Sequence, residues 1–446
     1  MSDHGGNRPA NAVPRIKGHW LIGSLSAYLN DPLHFYTECS KEYGDIVFGR
    51  FLHFPVCVLS NPLQVEELLV QEAQNLEQSR FLLVPLKPLL GEGLLIAGAA
   101  SHARQRPFVE KAIRTGIAAA WTEEVVSAAE RFAASWTTGE PRDLYAEMLR
   151  VVSEVLARAA FGASPRAFET SALVNRVVDL VTDRMQQFPP IPEFVPTQGN
   201  LQVRKSLREM DRALSAAIHE ARAGAVTKNG LLSAMVAVRG DDGAQLSERE
   251  IRDQIVMIHV AVRQNLAAAL TWTFYLLTQN EESYSKVCRE VEPIAGIKRP
   301  GLAEAERLVY CDLVVRETLR LYPSVWQVLR HVVRDTQAGG HTIPAGTQAM
   351  MSQWVFQRDP RFFDDPEKFI PERWEHPRED WKLAYFPFGT GPRGCFGERL
   401  SFLTIKLMLA ALTRKFRLHL LPGQGIEPLP VFALRPRGRV LMYPRM

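Results

Sequence analysis

The chain has 446 residues, 46% of them hydrophobic and 23% charged, which excludes disordered, collagen-like and disulfide-scaffold proteins and supplies apolar mass for a large core. A formal net charge of +4, with Lys and Arg scattered, leaves no footprint for nucleic acid. The five cysteines are widely spaced and never form a C-x-x-C pair, so neither a disulfide framework nor a zinc site is indicated and a reducing cytoplasm fits.

Residues 1–14 are polar and rich in Gly, Asn and Pro; they read as a disordered N-terminus without the apolar core of a signal peptide. Residues 15–446 carry no linker or repeat period and read as one domain. The stretch 31–43 has helical character, and Ile46 to Leu59 is rich in Val, Phe and Leu, predicting strand with a break at Pro55. Apolar spacing then predicts helices over about 62–72, 101–115, 121–136, 143–161, 166–187 and 200–223. Between the last two, Phe188 to Pro196 holds four prolines among apolar residues and reads equally as a mobile lid or as a stiff connection.

Ser247 to Asn280 contains no Gly or Pro and opens with a capping box, Ser247 and Glu250, so it predicts one helix of roughly 50 Å. Its middle, Met257 to Thr273, is apolar on nearly every side, as expected for a helix running through a core, but it is interrupted by Arg263, Gln264 and Asn265. Helices at about 281–294 and 310–321, short strands, an irregular stretch from 353 to 394, a helix at 397–416 and terminal strands complete a fold that is mainly α with small β-sheets. No run of about 18 apolar residues occurs, so no membrane span is expected.

The chemistry concentrates in Phe388-Gly389-Thr390-Gly391-Pro392-Arg393-Gly394-Cys395-Phe396-Gly397, a lone Cys among glycines just before an apolar helix. Glycines allow close approach of a flat partner, and peptide N–H groups at a helix start are expected to favour a thiolate at Cys395. The alternative is an ordinary Gly-rich turn with a buried Cys.

This loop resembles in full the haem-binding signature F-x-x-G-x-R-x-C-x-G of the cytochrome P-450 family. The resemblance implies the family's fold, with its long central helix and haem-binding cysteine loop, and haem b as cofactor. Cys395 would be the axial thiolate ligand of the iron, Phe388 would pack on the haem and Arg393 would pair with a propionate. Gly389 and Gly397 are the signature's glycines. Glu317 and Arg320 match the family's E-x-x-R, and Arg373 in Pro371-Glu372-Arg373-Trp374 matches the Arg that completes a buried structural network with them. His102 and Arg106 resemble a propionate clamp on one helix face, and Arg330 matches a further propionate-binding Arg.

The long helix departs from the family pattern (A/G)-G-x-(D/E)-T-(T/S), reading Ala261-Val262-Arg263-Gln264-Asn265-Leu266. Ala261 keeps the small residue, whereas the acid and the alcohol are both carboxamides, Gln264 and Asn265. A carboxyl titrates and a carboxamide does not, so ordinary proton delivery at this catalytic position is lost. Three readings stand: a substrate group carries the proton, hydrogen peroxide replaces dioxygen, or the oxidation ends in ring closure, coupling or desaturation. In the bland alternative, Gln264 and Asn265 satisfy each other and water carries the protons. A rival of another class is a non-catalytic haem-thiolate binding protein.

By the resemblance the substrate pocket is lined by parts of 81–97, the 185–200 region, Met257, Ile258, Ala261, Val325, Trp326 and 431–433, fitting a small apolar substrate. No G-x-G-x-x-G follows a strand, so electrons are expected from a separate ferredoxin and ferredoxin reductase, with Arg114, Arg399 and Lys406 as candidate docking cations. A monomeric, cytoplasmic oxidoreductase of secondary metabolism is the resulting expectation.

Overall fold

The computed structural model describes residues 13–116, 118–162, 164–185, 195–224, 230–294 and 301–445; of the proline-rich segment, Phe188 to Phe194 lies outside them. The chain forms two compact units, each assembled from separated stretches of sequence. Unit 1 comprises the chain up to Arg80 with Trp326–Glu367 and Arg378–Gly394, and unit 2 comprises Phe81–Val325, Lys368–Pro377 and the chain from Cys395 onward.

Unit 1 is built on a five-stranded sheet of β1 (Ile46–Phe51), β2 (Phe54–Leu59), β3 (Leu76–Gln78), β4 (Val328–Val332) and β5 (Gln348–Met351), in the order β1-β2-β5-β4-β3. Only β2 and β5 run parallel. Cys57, Leu59, Leu68, Val332, Ile343 and Met351 form its core. The expected break at Pro55 is corrected: the hairpin turns at Leu52 and His53, and Pro55 pairs with Arg50 inside the ladder. The parallel pairing to β5 begins only at Val56, so a residue without an N–H is accommodated at the start of β2.

The eight longest helices described lie in unit 2: α1 (Ala99–Gly116), α2 (Ala118–Ser135), α3 (Leu144–Phe161), α4 (Pro165–Met185), α5 (Gln198–Arg222), α6 (Glu248–Gln279), α7 (Val309–Leu321) and α8 (Glu398–Thr413). α6 starts with the expected capping box: the Glu250 N–H donates to Ser247 Oγ at 3.3 Å and the Ser247 N–H donates to Glu250 Oε2 at 2.9 Å. It packs against α3, α4, α5 and α7, and its flanks 253–260 and 266–274 are buried throughout. Trp272 anchors the C-terminal half, stacked 3.9 Å from Tyr322 with its indole N–H on the Leu434 carbonyl at 2.8 Å. By length and composition α6 passes as a membrane span, but its most apolar window is 78% buried within the protein.

Among the helices that escape the sequence pattern, one contains two prolines. Arg80–Leu90 is helical despite Pro85 and Pro88, and the turn after it is pinned to α6. Arg252 donates to the Leu89 carbonyl at 2.6 Å, and Asp253 and Gln254 accept the Glu92 and Leu94 N–H groups at 2.8 and 3.2 Å. Of the expected pocket residues in unit 2, Met257, Ile258 and Ala433 are buried, whereas Ala261 is half-buried and Val325 is exposed; in unit 1 Trp326 is buried beside Tyr36.

Candidate functional site

Cys395 is the one exposed cysteine of the five, none of which is in a disulfide. It follows the glycine loop and precedes α8, and the Gly397 N–H donates to its Sγ at 3.3 Å. The expected backbone support for a thiolate comes from this one N–H, and burial opposes it. Although the residue is exposed, neighbouring atoms desolvate the sulfur and push the thiol above its ordinary value; the Gly397 N–H opposes this, Glu398 adds to it, and Arg106 opposes it. The loop therefore supplies a poised thiol whose deprotonation awaits a cation or metal. Among the described residues no three His, Cys, Asp or Glu side chains gather as a metal centre.

In unit 1 the loop arrives with Phe388 and Arg393 half-buried and with Gly389 and Gly391 in the left-handed region. Gly391 has no room for a side chain, because a Cβ would stand 2.2 Å from the Leu69 carbonyl oxygen. Arg330 donates to Gln78 Oε1 at 3.1 Å and to the Leu329 carbonyl at 3.0 Å, both neutral. Burial and the charge of Arg393 push the Arg330 guanidinium down to about 10, and burial lowers Arg393 as well, with Glu77 opposing. Two guanidinium groups disfavoured in this way gain when a carboxylate reaches them. The arrangement fits the propionates of a haem.

In unit 2, α1 carries His102, which is buried, and Arg106 one turn later. Arg106 donates through Nε to Glu110 at 2.6 Å, and its guanidinium lies 5.7 Å from the Phe396 ring. That places an arginine beside the residue that follows Cys395.

The same unit holds a fully buried carboxylate, Glu317 on α7. It accepts from Arg320 Nε and Nη2 at 2.9 and 2.8 Å, from Arg373 Nε at 3.0 Å, from the Trp374 indole N–H at 2.9 Å and from the Ile370 N–H at 3.0 Å. Arg320 also donates to the Lys368 carbonyl at 2.9 Å. Residues 3 and 56 positions away in sequence thus meet on one side chain, tying the segment 368–374 to α7.

α6 opens where the family pattern is broken: Ala261 to Asn265 are all half-buried between two buried flanks. The two carboxamides do not satisfy each other. Gln264 Nε2 reaches Thr182 Oγ1 on α4 at 3.5 Å, while Asn265 Nδ2 turns back onto the Ala261 carbonyl at 2.8 Å. Since a carbonyl only accepts, the amide orientation is fixed and Asn265 Oδ1 is left buried without a donor. Arg263 donates to Asp179 on α4 at 2.5 Å and to Ser153 on α3 at 3.0 Å. Asp179, Thr182 and Ser153 were not singled out from sequence; more than 80 positions separate them from their partners and no motif marks them.

Of the expected docking cations, Lys406 is corrected: it is largely buried and paired with Asp312 at 3.2 Å. Arg399 is exposed and faces Glu306 at 3.4 Å, and Arg114 is exposed.

A family profile described as Cytochrome P450 matches residues 13–441. Cyclooctatin synthase of Streptomyces melanosporofaciens is 30% identical over 432 residues, covering 95% of this chain and 93% of that protein. Pentalenene oxygenase of Streptomyces avermitilis is 27% identical over 96% of this chain and 95% of its own. Cyclooctat-9-en-7-ol 5-monooxygenase of Streptomyces melanosporofaciens is 29% identical over 90% and 88%. The crystal structure of the cytochrome P450DA heme domain superposes with a TM-score of 0.86, covering 97% of each chain at 20% identity. With a glycine-bound cysteine, arginines suited to carboxylates and this full-length likeness, the chain belongs to the cytochrome P450 family of haem b-thiolate oxidoreductases.

Proposed function

We propose that this protein is a cytoplasmic monooxygenase of secondary metabolism that oxidises an apolar polycyclic terpenoid with electrons from a separate ferredoxin and ferredoxin reductase. The observation that carries the reading is the full-length likeness to three Streptomyces enzymes, two of them named for oxidising pentalenene and cyclooctat-9-en-7-ol. Cys395 is the proposed iron ligand. Phe388, Gly389, Arg330 and Arg393 in unit 1, and His102, Arg106 and Gly397 in unit 2, are the proposed haem contacts. When bound, thiolate-ligated haem supplies the activation of dioxygen.

The chain's own residues set the rest. The Gly397 N–H draws charge from the sulfur, and the Glu317 network keeps the backbone at 368–374 in place. Gln264 and Asn265 cannot release a proton at neutral pH, whereas Asp179, 47% exposed and held by Arg263, brings a titratable carboxylate from solvent to the centre of α6. In the proposed role Asp179, held by Arg263, passes a proton to water on the α4 side of this window, where Gln264 also bonds Thr182. This relay replaces the missing acid on α6.

The test uses the haem-loaded protein with a surrogate ferredoxin, its reductase and NADPH, against a panel of terpene hydrocarbons and alcohols. The expected result is a low-to-high-spin Soret shift and an oxygenated product that requires both electron carriers; an intact CO-complex band with no oxidised product from any of them overturns the monooxygenase reading. Cys395→Ser should abolish the reduced CO-complex band. Asp179→Asn should lower product per NADPH on the order of tenfold or more, with Asp179→Glu restoring it and the Soret shift unchanged. Unaltered coupling in Asp179→Asn removes the relay.

A further inference from the structure

We propose that Gln254 on α6 is a positioning residue which, with Asp253 and Gln105, holds the turn 89–94 against Met257 and so fixes one wall of the substrate pocket. The inference deepens the proposed function and rests on its haem-enzyme reading, under which parts of 81–97 and Met257 line that pocket. Four consecutive N–H groups show how the turn is held. Those of Gly91 and Gly93 donate to carbonyls of their own segment, Lys87 at 2.9 Å and Leu90 at 2.8 Å. Those of Glu92 and Leu94 donate instead to α6, to Asp253 Oδ2 at 2.8 Å and to Gln254 Oε1 at 3.2 Å.

The backbone of the turn lies directly on the helix. At Gly91, with φ +55°, a Cβ would stand 2.2 Å from Asp253 Oδ2. At Gly93 it would stand 2.9 Å from Met257 Cβ and 3.0 Å from the Asp253 carbonyl oxygen. Asp253 and Met257 are one helical turn apart on one face of α6, so the side chain that grips the turn and the one that meets it are spaced by the helix itself.

The two amides fix each other's direction. Gln254 and Gln105 are both fully buried. Gln254 Oε1 must face the Leu94 N–H, which only donates, so its Nε2 is the atom that donates to Gln105 Oε1, at 2.6 Å. That leaves Gln105 Nε2 for acceptors, and it meets Ser101 Oγ at 2.6 Å and the Glu92 carbonyl at 3.3 Å. The path runs from the Leu94 N–H through two amides back to the Glu92 carbonyl, and flipping either amide would set like groups against each other. A buried network satisfied in this way specifies one geometry. Gln105 also lies between His102 and Arg106 on α1, the proposed haem contacts, so the same bond ties the pocket wall to the helix that carries them. A ligand that fits a preformed wall spends little freedom in ordering it, and one too large for the wall is refused.

The experiment is Soret titration of the haem-loaded parent and of Gln254→Leu with three azoles that bind haem iron through nitrogen: imidazole, phenylimidazole and tritylimidazole. The substitution should shift the Kd ratio of tritylimidazole to phenylimidazole by about fivefold or more in favour of the larger ligand, while imidazole, too small to meet the wall, stays within about twofold. Hydrogen exchange at the Leu94 amide, which needs no ligand, should be about tenfold faster in the variant. If Gln254→Leu does not hold haem, Gly93→Ala, which displaces the turn and leaves every side chain of the network in place, is read instead, and its Kd ratio should move by about fivefold or more from the parent's. A lowered melting temperature with an unchanged Kd ratio would make Gln254 a brace only and overturn the proposal, as would Leu94 exchange that the substitution leaves unaltered. Failure to oxidise any terpene bears on the proposed function alone, because azole binding and amide exchange are read without turnover.

Discussion

Glu317 and the centre of α6 both place polar side chains inside unit 2, and they resolve the difficulty in opposite ways. At Glu317 every neighbour contributes: two guanidinium groups, an indole and a backbone N–H converge on one carboxylate, and Arg320 has a carbonyl in addition. At Ala261–Asn265 the groups diverge, Arg263 and Gln264 toward α4, Asn265 back onto its own helix, and Asn265 Oδ1 is left without a donor. A satisfied network rigidifies, whereas a partly satisfied one marks where a protein gives up stability for something else. The first region is a brace, and the second is the part of the core where the proposed proton path lies.

The largest effect expected from breaking this contrast comes from Glu317→Gln. The amide replaces an acceptor oxygen with a donor facing arginines, leaving buried positive charge uncompensated, and unfolding in urea should show a loss of about 3–5 kcal/mol. A loss below about 1 kcal/mol would mean that the network is no tighter than a surface pair.

A smaller effect belongs to His259, two residues before the open window of α6. Its Nδ1 faces the Ile255 carbonyl at 2.9 Å, its Nε2 faces Ser171 Oγ at 3.4 Å, and burial holds its pKa down at about 4. The unfolded chain takes up this proton near pH 6.5 and the folded one only near 4, so the unfolded state binds more protons between them. Stability should fall as pH drops through that window, by about 3 kcal/mol in total. Chemical denaturation of the parent and of His259→Phe at several pH values isolates the contribution. Equal slopes would show that His259 is not held neutral by the core.

The smallest effect sharpens the comparison directly. Asn265→Leu removes the donorless Oδ1 together with the bond to Ala261, so thermal unfolding should show stability unchanged or higher by up to about 1 kcal/mol. A clear loss would show that Oδ1 is satisfied in solution and that the two regions are more alike than their geometry indicates.

Much of this was legible in the chain itself. Cys395 in its glycine loop, the i, i+3 pair of Glu317 and Arg320, and the capped α6 are local patterns, because a helix of 3.6 residues per turn and a turn that needs glycine impose their spacing on sequence. The helix Arg80–Leu90 was not legible, since its prolines speak against it locally and its anchors, Arg252 to Gln254, lie some 160 residues away. Residues without spacing rules were equally silent: nothing local says that Asp179 meets Arg263, or that Lys406 is covered and paired.

The sequence by itself determined the family, the iron-ligand candidate and the loss of acid and alcohol from α6. Only the tertiary structure decided what those changes mean. Desolvation, partner choice and exposure arise when distant segments pack, so the thiol at Cys395 is pushed up, the carboxamides part company, and a carboxylate from α4 stands at the helix whose own acid is gone.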